Sequence, residues 1–171
     1  MFKLSGLFKK TEEANTSKPS EVTKKVAPGT QLQYDPGLIK MLKQDHEELL
    51  EIWLAIGKAM DKQDVKTMAS LLTEFKAKLN KHLLTENVKL YVYLTRSLTN
   101  DQQHSEVVKD FRSEMNHIGR TVTTFLRTYT QSPIEIGMLD TFKDEFEAIG
   151  GALVNRITRE EDVLYALYLQ E

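Results

Sequence analysis

KLNKHLLTENVKLY, residues 78–91, and ALVNRITREEDVLY, residues 152–165, read as two copies of one helical segment. They align without gaps, pairing Leu79 with Leu153, Glu86 with Glu160, Leu90 with Leu164 and Tyr91 with Tyr165. Apolar residues three and four apart are the period of a helix that buries one face. His82 and Glu86, four apart, lie on that face of the first copy, and Arg156 and Glu160 take the same places in the second. Polar groups on a buried face need partners. The fold question is settled by the leucines, and the functional question by these four residues.

The same period extends outward in both directions. Asp35-Pro36 supplies an N-cap and a first helical residue, and LIKMLKQDHEELLEIWLAI carries the repeat to about Met60. After DKQD a second helix runs to the region of Leu98 and ends at Thr99-Asn100-Asp101. A third runs from about Gln102 to Tyr129. Ser132-Pro133-Ile134-Glu135 has the form of a capping box, and the helix it opens continues to the C-terminus with Gly150-Gly151 as a kink or a close-packing point. Four long helices, short links and no strand pattern predict an all-α, up-down-up-down four-helix bundle over residues 34–171. Residues 1–33 read as a flexible leader, of which residues 11–33 are rich in Thr, Ser, Lys, Glu and Pro. Within it, residues 1–10 alternate Phe2, Leu4, Leu7 and Phe8 with lysines and could contact a protein or a membrane surface.

Composition narrows the function. The 171 residues are 40% hydrophobic, enough for one domain with a core, and a formal charge of -2 argues against nucleic-acid binding. With no cysteine, thiolate metal sites and cysteine nucleophiles are excluded. No apolar run reaches the roughly 20 residues of a membrane span, and the expected location is the cytoplasm. No activated nucleophile or phosphate loop is present, so no enzyme activity is expected.

Depth along the bundle brings the polar residues together. Counted from the turn near residue 62 at 1.5 Å per residue, His46 and His82 both lie roughly 24 to 30 Å away. The turn near residue 99 places His117 opposite His82, and the turn near 132 places residue 156 close to the same layer. DH on the first helix, HxxxE on the second, a histidine on the third and an acidic HxxxE-like stretch on the fourth resemble the hemerythrin-like (HHE) family. The resemblance covers roughly residues 35–170. It implies a non-haem iron centre held by His46, His82, Glu86, His117 and Glu160, and a part in binding or sensing iron, dioxygen or nitric oxide. Imidazole nitrogen and carboxylate oxygen suit iron in both oxidation states.

Two departures qualify that expectation. Arg156 stands where the family has a histidine, and a guanidinium has no lone pair to give. It lies in line with Ile149, Leu153, Glu160, Val163 and Leu167, so it should be buried as a countercharge to Glu86 and Glu160. The expected centre is therefore degenerate, with one iron ion at most or none; a metal-free interaction module is the alternative. The apolar stripe of the third helix is centred about 120° from His117 on an ideal wheel, which leaves that residue off the buried face. An exposed His117 would also suit a histidine phosphotransfer bundle, although NHIGR lacks the lysine four residues on that such domains usually have. Tyr91, Tyr93, Tyr165 and Tyr168 read as core, and Arg159-Glu160-Glu161-Asp162 as partly a solvated face.

Overall fold

The computed structural model describes residues 25–169 of the chain. Four rods make up the bundle. The first is α1, Leu38–Asp61. The second is α2, Val65–Thr85, which passes without a break through a π-helical turn at Glu86–Leu90 into α3, Tyr91–Ser97. The third is α4, Gln102–Gln131. The fourth follows a 3-10 turn at Ile136–Met138: α5, Leu139–Arg159, a second π turn at Glu160–Leu164, and α6, Tyr165–Leu169. Contacts run round a ring, from α1 to α2, from α2 and α3 to α4, from α4 to α5, and from α5 and α6 back to α1.

Local chemistry starts and stops these rods. Asp64 caps α2 by accepting from the Thr67 N–H at 3.1 Å, after a tight turn in which Gln63 takes φ 53°. Asp101 caps α4 by accepting from the His104 N–H, and its other oxygen lies 2.6 Å from His104 Nδ1. Asp35 holds the turn before α1 through the Gly37 N–H at 2.9 Å, and the helix begins at Leu38 rather than at Pro36. The expected capping box at Ser132-Pro133-Ile134-Glu135 does not form. Glu135 is extended at φ -90° and ψ 147°, and the fourth rod starts only at Ile136. Extended backbone there lets Ile134 reach the core, and that burial takes the place of the cap.

The two π turns explain a shift in register. Glu86 and Glu160 open them, and in each the carbonyl accepts an i+5 bond, from the N–H of Tyr91 and of Tyr165. The offset between the turns is that of the sequence repeat, so the duplication extends to backbone detail. The wide turn brings Leu164 and Tyr165 inward and leaves Val163 outside, against the expectation that Val163 continues the buried stripe. Gly150 and Gly151 lie in unbroken helix. Close packing is the role of Gly150, since a Cβ there would sit 2.7 Å from Trp53 Nε1, while the Trp53 ring stacks on Phe146 at 4.4 Å.

Residues 25–33, assigned above to the leader, belong to the folded unit. Val26 and Gln33 form an antiparallel bridge, Tyr34 N–H donates to Lys25 O at 2.7 Å, and Gly29 turns the chain at φ 68°. Ala27 is buried against Leu38 and its neighbours, and Tyr34 stacks on Tyr168 at 4.9 Å. A single buried alanine and one bridge pair leave no period in the sequence that composition could reveal. Residues 1–10 lie outside the described residues.

The core is in two parts. One apolar cluster contains Trp53, Phe75, Phe125, Phe142 and Phe146, and the other contains Leu42, Tyr93, Phe111, Leu164 and Tyr168. On every rod the boundary between the two clusters falls at the polar layer: His46 on α1, His82 and Glu86 on the second rod, Glu114 on α4, Arg156 and Glu160 on the fourth.

Candidate metal centre

His46, His82, Glu86 and Glu160 meet in that layer, all buried, with one donor atom of each within 4.8 Å of the others. The helix period delivers the two histidines from neighbouring rods, with ring centroids 4.7 Å apart. The π turns deliver the two glutamates. His46 Nε2 lies 3.3 Å from Glu160 Oε2, and His82 Nε2 lies 3.7 Å from Glu86 Oε2. Tyr165 donates its hydroxyl to Glu86 Oε1 at 3.1 Å and lies 3.3 Å from His46 Nε2.

Two polar atoms of this group, His82 Nδ1 and Glu86 Oε2, have no hydrogen-bond partner among the described residues. An orphaned buried group of this kind costs about 1–3 kcal/mol, and more when charged. The donor set therefore fits a cation: two imidazoles and two carboxylates, with a carboxylate oxygen free to face it. Beside the donors is a cavity of about 30 Å³, lined on its apolar side by Leu49, Trp53, Phe75 and Leu79. That is room for a water or two or for a diatomic molecule, and too little for an organic substrate.

The electrostatics carry the same mark. Burial, and then the Glu160 charge, push Glu86 up to about 8. Burial, and then the neighbouring His46, lower His82 to about 4. For His46, burial alone would lower the value, but its hydrogen bonds with Glu160 and Glu161 outweigh burial and raise it. Without a cation the layer settles by holding a proton on Glu86 and leaving His82 neutral. A bound cation would displace that proton.

Arg156 is buried and paired with Glu160 as expected, but Glu114 and Tyr91 stand in place of Glu86 as its other partners. It donates to Glu160 Oε1 from Nε at 2.7 Å, to Glu114 Oε2 from Nη1 at 3.0 Å and to the Tyr91 hydroxyl from Nη2 at 2.8 Å, and it lies 4.6 Å over the Phe111 ring. Glu86, named as a second partner, accepts from Tyr165 instead. Burial alone would lower the Arg156 value, yet the Glu160 charge and the other partners raise it, so the guanidinium stays charged.

His117 does not join the group. It is exposed on α4, at a surface groove shared with Arg120 and Glu145. The wheel places it off the apolar stripe, and Glu114, about one turn earlier, is the residue of α4 that reaches the layer. Sequence reasoning missed Glu114 because it looked for a ligand, whereas the Arg156 substitution calls for an acid. It also missed Asp45 and Glu161, which stand beside the two histidines. Tyr91, Tyr93, Tyr165 and Tyr168 are core as expected, and Tyr91 and Tyr165 also turn their hydroxyls to the polar layer.

A buried histidine-carboxylate cation site between four antiparallel helices defines a class, the helical-bundle metal-binding domains. Comparison with protein families makes the assignment specific: the hemerythrin HHE cation binding domain matches residues 37–168, and the chain belongs to that family. No curated protein and no solved structure gives a match.

Proposed function

We propose that the protein binds one non-haem iron ion through His46, His82, Glu86 and Glu160, and serves in binding or sensing dioxygen, nitric oxide or iron itself rather than as an enzyme. The observation that carries this reading is the convergence of four buried donors around an unpartnered Glu86 oxygen. Iron would supply an open coordination position for a small ligand beside the cavity. The protein's part is to set the donors in place and to keep larger molecules and bulk water away.

Charge favours one ion over two. With both histidines neutral, Glu86 and Glu160 against Arg156 leave the buried groups with one negative charge in excess when both acids are ionised. One divalent cation brings the layer to a single positive charge, and a second would bring it to three, with Asp45, already beside His82 and Lys78, as the one other buried carboxylate among the described residues. His117, which could have served a second ion, points away.

A metal-free regulatory module is the second reading, favoured by Arg156, which already gives Glu160 a cation. A cytoplasmic location without nucleic-acid contact belongs to both readings; among the described residues no helix is long and apolar enough to cross a membrane. Anaerobic loading with ferrous iron, followed by elemental analysis, separates them. One equivalent per chain, lost in His82→Ala, is expected. No uptake leaves the metal-free module, and two equivalents would refute the single-ion site.

A further inference from the structure

Both histidines of the layer are backed by a carboxylate, and both carboxylates by a lysine. His46 Nδ1 lies 3.0 Å from Glu161 Oε1, whose other oxygen is 3.2 Å from Lys43 Nζ. His82 Nδ1 lies 3.7 Å from Asp45 Oδ2, whose other oxygen is 3.5 Å from Lys78 Nζ. Resting on the single-cation reading above, the geometry points to Asp45 and Glu161 as positioning residues, which hold the two imidazoles with Nδ1 outward and Nε2 toward the cation.

The arrangement is reciprocal. On α1, His46 faces the layer while its neighbour Asp45 backs the histidine of α2. At the second π turn, Glu160 faces the layer while its neighbour Glu161 backs the histidine of α1. Each pair of adjacent residues thus contributes one donor and steadies a donor on the next rod. An ionised carboxylate only accepts, so the ring nitrogen facing it carries the proton, and the opposite nitrogen keeps its lone pair for a metal. Such backing fixes the tautomer and raises the basicity of the ligating nitrogen.

The two backings differ in closeness. Glu161 is at hydrogen-bond distance from His46, whereas 3.7 Å is too long for a bond between Asp45 and His82. This gap accounts for the unpartnered His82 Nδ1, buried to 3% exposure. Asp45 is the acid in reach of it, and a shift of under an ångström pairs the two. Lys43 acts as an anchor by occupying one Glu161 oxygen and leaving the other directed at a ring, whereas Lys78 bonds Glu48 first and lies 3.5 Å from Asp45.

The test uses the full chain, with ferrous iron alone titrated anaerobically into Asp45→Leu, Asp45→Asn, Glu161→Leu and Glu161→Gln. The leucine variants should bind iron about 10- to 100-fold more weakly, while the amides, whose carbonyls still accept from Nδ1–H, should stay within about threefold of wild type. A second readout needs no iron: ring-nitrogen ¹⁵N spectra of the metal-free protein report which nitrogen of each histidine holds the proton. At a pH high enough to leave the His46 ring neutral, a proton on Nδ1 in wild type and Glu161→Gln, and on Nε2 in Glu161→Leu, is the expected pattern. Leucine variants that bind as tightly as wild type overturn the proposal, as does a more than tenfold loss in Glu161→Gln, which would make charge the requirement. If the wild type itself takes up no iron, the cation reading fails, and the ¹⁵N pattern alone decides whether these acids position the rings.

Discussion

Replacing Arg156 with alanine should lower the stability of the metal-free protein by about 3–5 kcal/mol, the range for removing one partner of a buried ion pair. The structure shows why the loss lies in that range. Arg156 bonds Glu160 from Nε with Nη2 in ion-pair range at 2.6 Å, bonds Glu114 and Tyr91, and covers the Phe111 ring. Without it, the buried Glu160 retains only His46 as a cationic partner, and the Tyr91 hydroxyl loses its bond. Denaturant unfolding followed by circular dichroism measures the change, and Glu160→Gln in the same background completes a double-mutant cycle. The amide carries no charge to strand, so the double variant should recover part of the loss. Saturating ferrous iron should stabilise Arg156→Ala more than wild type, because the ion supplies the missing positive charge to Glu160. A loss under about 1 kcal/mol would place Arg156 among ordinary surface pairs and refute its role as countercharge. Equal stabilisation of mutant and wild type by iron would refute the competition between guanidinium and ion.

Further expectations concern other parts of the molecule. Glu86 has its folded value raised from 4.5 to about 8, so its contribution is complete below the unfolded value and is lost as pH rises toward 8. His82, lowered to about 4, acts oppositely, but only up to 6.5, where the unfolded chain also loses its proton. Between about pH 6.5 and 8 the metal-free protein should therefore lose about 2 kcal/mol, a slope that His46 reinforces and that Glu86→Gln largely removes in unfolding curves taken across that window. Gly150→Ala should destabilise by about 1–3 kcal/mol through overpacking on Trp53, despite alanine's better helix propensity; a stabilised variant would show that the indole can move aside. Deleting residues 1–33 should cost about 1–3 kcal/mol more than deleting 1–24, by thermal or denaturant unfolding, because Ala27 and Leu32 leave the core. Arg156→His restores a lone-pair donor and should raise iron affinity or stoichiometry by elemental analysis.

The bundle was legible in the sequence because helix burial writes a period that survives any tertiary detail, and the repeat of residues 78–91 at 152–165 anchored the register. His46, His82, Glu86 and Glu160 were legible for the same reason: polar residues on an apolar stripe stand out. The π turns were not. ENVKL and EEDVL contain no glycine or proline to announce them, and an i+5 bond depends on what the neighbouring rods require. Glu114 was hidden because its partner is an arginine from the far end of the chain. Asp45 and Glu161 were hidden by their neighbours, since adjacent residues on a helix point about 100° apart and a wheel assigns only one of them inward.

The enclosure of the polar layer also has a kinetic consequence. Its four donors are each no more than 3% exposed, with an apolar cluster above and another below. Burial this deep leaves the donors themselves almost no surface at which an ion from solution could arrive. Uptake is then expected to follow the parting of a rod from its neighbours, a local opening of the kind that hydrogen exchange detects. Uptake and release should then proceed at the pace of that opening, far below the collision rate and nearly independent of metal concentration once the ion is abundant. The residence time of the ion becomes a property of helix packing as much as of the ligands themselves.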